Sequence, residues 1–174
     1  RANALLDRGR FRDAKAILEE VRDSEESRSL EWVVAESKLL LGLGESVRAK
    51  ALLLLVSQQN DIDTRTALGH AVQVCLARAR LSQGDYGAVL AAADRVEYDR
   101  SGDAIEAHTQ KALALAYLGR NADSRQLLEM LATDSVALED ARYRALVHVA
   151  MGLLAQREDR HDDDGAGDQT GVDA

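Results

Sequence analysis

The 174-residue chain carries 22 Lys and Arg against 30 Asp and Glu, a net charge of −8, with 46% apolar but only 3% aromatic residues. It has no proline and a single cysteine, Cys75. This composition favours helix and disfavours a β design, which needs β-branched and aromatic residues between turn formers; it also lacks the basic footprint of a nucleic-acid binder.

Helical periodicity runs from Ala2 to about Gln156, as in Leu30, Val33, Val34, Leu40 and Leu41, or Ala112, Leu115, Ala116 and Leu118. Breaks fall at Arg8–Arg10, Ser24–Ser29, Gly42–Ser46, Gln58–Thr64, Gln83–Asp85, Tyr98–Asp103, Gly119–Asn121 and Thr133–Ser135. They delimit about nine helices, with N-caps expected at Ser29, Asp63, Ser101, Asn121 and Ser135. Leu138–Gln156 reads as a last, capping helix. Residues 157–174 hold seven acids and two bases, and are expected to form an acidic, disordered tail. Asp162, Asp164, Gly167 and Asp173 fall near the offsets of a calcium loop, but Ala166 occupies a ligand position and no helix follows. A solvated tail is the better account.

The breaks share one register. Gly9, Gly44, Gly84 and Gly119 each close a helix, at separations of 35, 40 and 35 residues. A glycine there supplies the left-handed cap that ends a helix cleanly. Seven residues earlier stand Ala2, Ser37, Ala77 and Ala112; five later stand Ala14, Ala49, Val89 and Ser124. Larger apolar residues follow at twelve, Val21, Val56, Val96 and Leu131. Small residues in register let paired antiparallel helices approach closely, while each unit needs its neighbour to bury its apolar face.

With Gly9, Phe11 and Ala14, and with Leu81-Ser82-Gln83-Gly84-Asp85-Tyr86, residues 1–156 resemble the tetratricopeptide repeat family. The family's early Trp is replaced by Val33, Gln73 and His108, and its closing Pro by Glu26, Asp61, Ser101 and Val136, so the repeats are divergent. The resemblance implies an all-α, right-handed α-solenoid of about four helix pairs plus a capping helix. By its register Arg1 falls inside the first helix of a unit, so further repeats or another domain are expected upstream. The phrase Leu76–Tyr86 also looks like the helical-repeat region of large ATP-dependent LuxR-type transcription activators, in which that region receives a small molecule or inhibitor protein.

No Gly-x-Ser-x-Gly, phosphate-binding loop or zinc-ligand spacing occurs, and His70, His108, His148 and His161 share no metal-site spacing. No enzyme activity, cofactor or metal is expected. No stretch approaches 18 apolar residues and no basic-then-apolar leader opens the chain, so a cytoplasmic protein with no membrane partner is the default expectation. What remains is a surface. In a solenoid the first helices line the concave side, where Asn3, Lys38, Arg78, Gln110, Tyr117, Arg144 and His148 are expected to face a groove. Their basic and amide groups suit a peptide carrying an acidic group. Val34, Ala35, Val74 and Cys75 stand where a chaperone-carboxylate clamp would need polar side chains, so that partner is disfavoured. The expected role is a non-catalytic protein-interaction module of a larger protein, with a regulatory sensor region as the alternative.

Overall fold

Each of the four register glycines adopts the left-handed conformation, with φ of 70° at Gly9, 80° at Gly44, 74° at Gly84 and 77° at Gly119. A side chain at such a φ is strained, so glycine stops the helix and turns the chain into its partner. The turn is the same each time. The N–H after the glycine bonds the carbonyl five residues back: Arg10 to Leu5, Glu45 to Leu40, Asp85 to Arg80 and Arg120 to Leu115, at 2.8–3.0 Å.

The computed structural model describes residues 1–24, 29–59, 62–136 and 140–166. Within them lie nine helices: α1 (Ala2–Leu6), α2 (Phe11–Glu20), α3 (Leu30–Gly42), α4 (Ser46–Gln59), α5 (Ala67–Leu81), α6 (Tyr86–Ala93), α7 (Gly102–Tyr117), α8 (Asn121–Val136) and α9 (Ala141–Ala166). Every helix packs on the next, and α1, α3, α5, α7 and α9 also pack on one another in series. Even-numbered helices show no comparable packing among themselves within the described residues. The odd helices therefore form one layer and the even ones a second.

The core follows from the register. Ser37, Ala77 and Ala112 are buried completely, as are Ala14's counterparts Ala49, Val89 and Ser124. Ser124 Oγ donates to the Ala112 carbonyl at 2.7 Å, so these two positions touch across a helix pair. Larger side chains fill the space between pairs. Val34, Leu53, Val72 and Leu76 join α3, α4 and α5; Ile105, Leu128, Leu131 and Val147 join α7, α8 and α9. Full burial of such an aliphatic side chain contributes about 1.5–3 kcal/mol.

Caps divide between expectation and correction. Ser29 and Ser101 accept from the N–H groups of Trp32 and Ala104, each at 3.2 Å, and Asp85 also caps α6. Asp63 is not a cap: its carboxylate is held by Arg65 at 3.0 Å, and Thr66 caps α5 instead. Asn121 is already the first residue of α8, and Ser135 lies in that helix's last turn, its hydroxyl donating to the Ala132 carbonyl at 3.0 Å. No glycine interrupts α8 there, so the break expected at Thr133–Ser135 is helical.

The last helix also differs from expectation. α9 continues past Gln156 to Ala166, and its first residues beyond that point dock onto earlier helices. Glu158 pairs with Arg125 of α8 at 2.5 Å, and the Arg157 guanidinium lies 4.5 Å from the centre of the Tyr117 ring. The rest of the expected tail, and with it the calcium-loop offsets at 167 and 173, lies outside the described residues. No helix among the described residues is long and apolar enough to cross a membrane.

Three glycines separate backbone strain from crowding. A Cβ on Gly69 would stand 2.2 Å from the Asp63 carbonyl oxygen, which is backbone and cannot swing away. Gly69→Ala is expected to destabilise by about 2 kcal/mol or more, and Gly44→Ala by about 1–2 kcal/mol through its left-handed φ alone. Gly152→Ala, on an open helical surface, is expected to stabilise by up to about 1 kcal/mol. Denaturant unfolding of the three variants checks the order; a neutral Gly69→Ala would contradict the tight contact before α5.

Candidate functional site

Side chains of the odd helices line an open cavity of about 540 Å³. Its apolar floor includes Leu41 of α3, Val74 and Cys75 of α5 and Leu113 of α7. Cys75 is fully covered, and burial pushes its thiol pKa up to about 12, so it remains an unreactive thiol at neutral pH.

The wall is charged. Lys38, Arg78 and Arg142 line it from α3, α5 and α9, together with Asp7, Asp103 and Glu106. Arg142 spans the two ends of the layer: Nη1 donates to the Asp7 carbonyl at 2.9 Å and lies 3.4 Å from its carboxylate. Asp140 grips the same guanidinium, with Nε–Oδ2 at 2.8 Å, and these carboxylates hold the Arg142 pKa above the usual arginine value. Lys38 approaches Asp7 from the other side at 3.9 Å. Beside Arg142, the Tyr143 ring occupies the space where a Cβ on Gly102 would stand, so α9 begins in close contact with the start of α7. The Asp7 pairs are partly exposed, and such contacts contribute about 0–1 kcal/mol, so this bridge across the rim is weak.

Asp103, Glu106 and Gln110 follow one stripe of α7, three and four residues apart. Gln110 Nε2 donates to Glu106 Oε1 at 3.3 Å, while Gln110 Oε1 is buried with no partner. Neither carboxylate has a cation within ion-pair distance among the described residues. Burial raises the pKa values of both; Arg78 and Lys38 oppose this at Glu106 without reaching contact.

Three of the groove residues expected from the sequence, Lys38, Arg78 and Gln110, meet at this cavity. Asn3 lies exposed on α1. Tyr117 points elsewhere, stacking on Tyr86 with ring centroids 4.7 Å apart. Arg144 and His148 sit on the other flank of α9: Val147, Ala150 and Leu154 turn into the core, and Arg142, Tyr143 and Leu146 take the cavity side. Asp103 and Glu106 lay in the same stripe as Gln110, and following that stripe toward the start of α7 would have found them. Arg142 had no signal in the repeat register, because its role depends on how far the layer curls.

Of the remaining histidines, His70 is buried, while His108 Nδ1 lies 2.9 Å from the Ala104 carbonyl and burial lowers its pKa.

The raised carboxyl pKa values set a pH dependence. A native pKa above the unfolded one means the protonated carboxyl favours the fold, so this contribution is fully present below the unfolded pKa and is lost as pH rises through the native one. Glu106→Gln, which keeps the acceptor for Gln110, is therefore expected to raise Tm at pH 7. The gain should fade below about pH 4.3, where glutamate is protonated in both states. Thermal melts across pH check this; a gain independent of pH would contradict it. In a thiol titration, Cys75 should react only after unfolding, and rapid labelling of the native protein would contradict its burial.

No family model, curated protein or solved structure matches this chain.

Proposed function

We propose that the chain is a non-catalytic binding module, a right-handed tetratricopeptide-like solenoid that takes an extended peptide of a protein partner along its concave layer. The observation that carries this reading is a single cavity lined in turn by α1, α3, α5, α7 and α9, with apolar floor and charged wall. A peptide needs that combination, since apolar contact supplies affinity and sparse polar groups fix register. The odd-on-odd packing and the four equivalent glycine turns support the solenoid assignment. Arg78 has no ion-pair partner among the described residues and is available to a carboxylate of the peptide.

A second reading, a regulatory domain that receives a small molecule, has one observation in its favour: about 540 Å³ falls within the ordinary range of small-ligand cavities.

Selection from a random peptide library tests the first reading, with Leu113→Trp filling the cavity as the control. Enriched peptides should bind the native chain and lose at least about tenfold in affinity for Leu113→Trp, provided circular dichroism shows that variant folded. Peptides that bind both equally would move the site off the cavity. A library that yields no binder would favour the small-molecule reading.

A further inference from the structure

Within the proposed peptide groove, on which this step rests, the free polar atoms are not balanced. Lys38 and Arg142 are both committed to Asp7. Arg78, Asp103 and Glu106 line the same cavity without ion-pair partners among the described residues, and the Gln110 side-chain oxygen is unpartnered. Gln110 is 5% exposed, its Nε2 is fixed on Glu106, and its Oε1 still lacks a donor. A buried acceptor left unpaired is destabilising, a penalty that a donor from a ligand would remove. Two partly desolvated carboxylates on the same stripe add to that demand. The two carboxylates and the unpartnered Gln110 oxygen are acceptors, so the complementary group is a cation with several N–H donors.

We infer that the α7 stripe Asp103–Glu106–Gln110 is a subsite for the guanidinium or ammonium group of a basic side chain, arginine or lysine, in the bound peptide. The planar fork of a guanidinium can reach a carboxylate and the Gln110 oxygen together, which a single ammonium does less well. Leu113, one turn further along α7, borders the stripe and covers the methylene stem of such a side chain. Arg78 then faces whichever carboxylate the peptide carries nearby. The site selects a segment with a basic residue at its centre, beside the acidic group that Lys38, Arg78 and Arg144 suggest.

The test is a titration of the 174-residue chain, followed by NMR, with N-acetyl-arginine amide, its neutral counterpart N-acetyl-citrulline amide, and N-acetyl-glutamate amide. The arginine compound should shift the Gln110 side-chain amide and saturate, with the citrulline compound at least about tenfold weaker. The isosteric pair Asp103→Asn and Glu106→Gln should lower arginine affinity to the citrulline level while leaving the fold intact. Equal affinity for arginine and citrulline, or an unchanged double variant, would overturn the inference. A ten-residue peptide with a central arginine should bind more tightly than either the blocked residue or spermidine; tighter spermidine binding would overturn the peptide as the source of the cation. The two levels of the reading fail differently. Glutamate binding that depends on Arg78, without arginine binding, overturns the cation subsite and keeps the groove. Loss of all binding, including that of library peptides, removes the groove itself.

Discussion

Close approach of paired helices at mostly small side chains is the constraint on which the rest of the molecule depends. Ser37, Ala77 and Ala112 are fully buried at the same place in three successive units, and Ala49, Val89 and Ser124 are fully buried at the matching place in the partner helices. Where the small residues face each other, backbones come close enough for Ser124 Oγ to reach a carbonyl on the opposite helix. Larger side chains such as Leu53, Val72, Leu131 and Val147 then pack between pairs. One rule of size therefore explains both the intimacy within pairs and the dependence of each pair on the next. The left-handed glycines fix where each pair folds, so the rule repeats at the same depth along the chain.

Repetition of that geometry has an electrostatic consequence. Odd helices that pack in series present one flank to a common interior, so charged residues separated by more than a hundred positions in sequence share a single cavity. Asp7 and Arg142 meet across its rim, and Asp103 and Glu106 lose solvent within it. Burial penalises those carboxylates, and Lys38 and Arg78 offset it without any cation at ion-pair distance among the described residues.

Much of the local architecture was legible because it is written in short-range signals. Glycine at a helix end, Ser29 and Ser101 before a helical run, and small residues at fixed distances from each glycine act within a few turns. The caps that failed did so through local competition. Arg65 takes the Asp63 carboxylate, and the turn closed by Arg120 leaves Asn121 inside the helix. The cavity was legible in part. Lys38, Arg78 and Gln110 follow from the register within single helices, whereas Arg142 and Tyr143 depend on where α9 lies against the start of α7. Arg144 and His148 were misplaced for that reason: α9 buries Val147, Ala150 and Leu154, and this choice of face sends the two residues to the far flank. Charge density alone likewise misjudged the end of α9, where Arg157 and Glu158 are held by Tyr117 and Arg125.

The curl of the odd-helix layer, which brings Asp7 to Arg142 and closes one side of the cavity, is the most direct expression of this account. Spin labels at Ala4→Cys and Ala141→Cys, on exposed positions of α1 and α9, would report it by pulsed dipolar spectroscopy in solution. The native Cys75 is buried and should stay unlabelled. A single narrow distribution at short distance is the predicted result. A long or broad distribution would mean that the layer does not close, and the shared cavity at its centre would lose its basis.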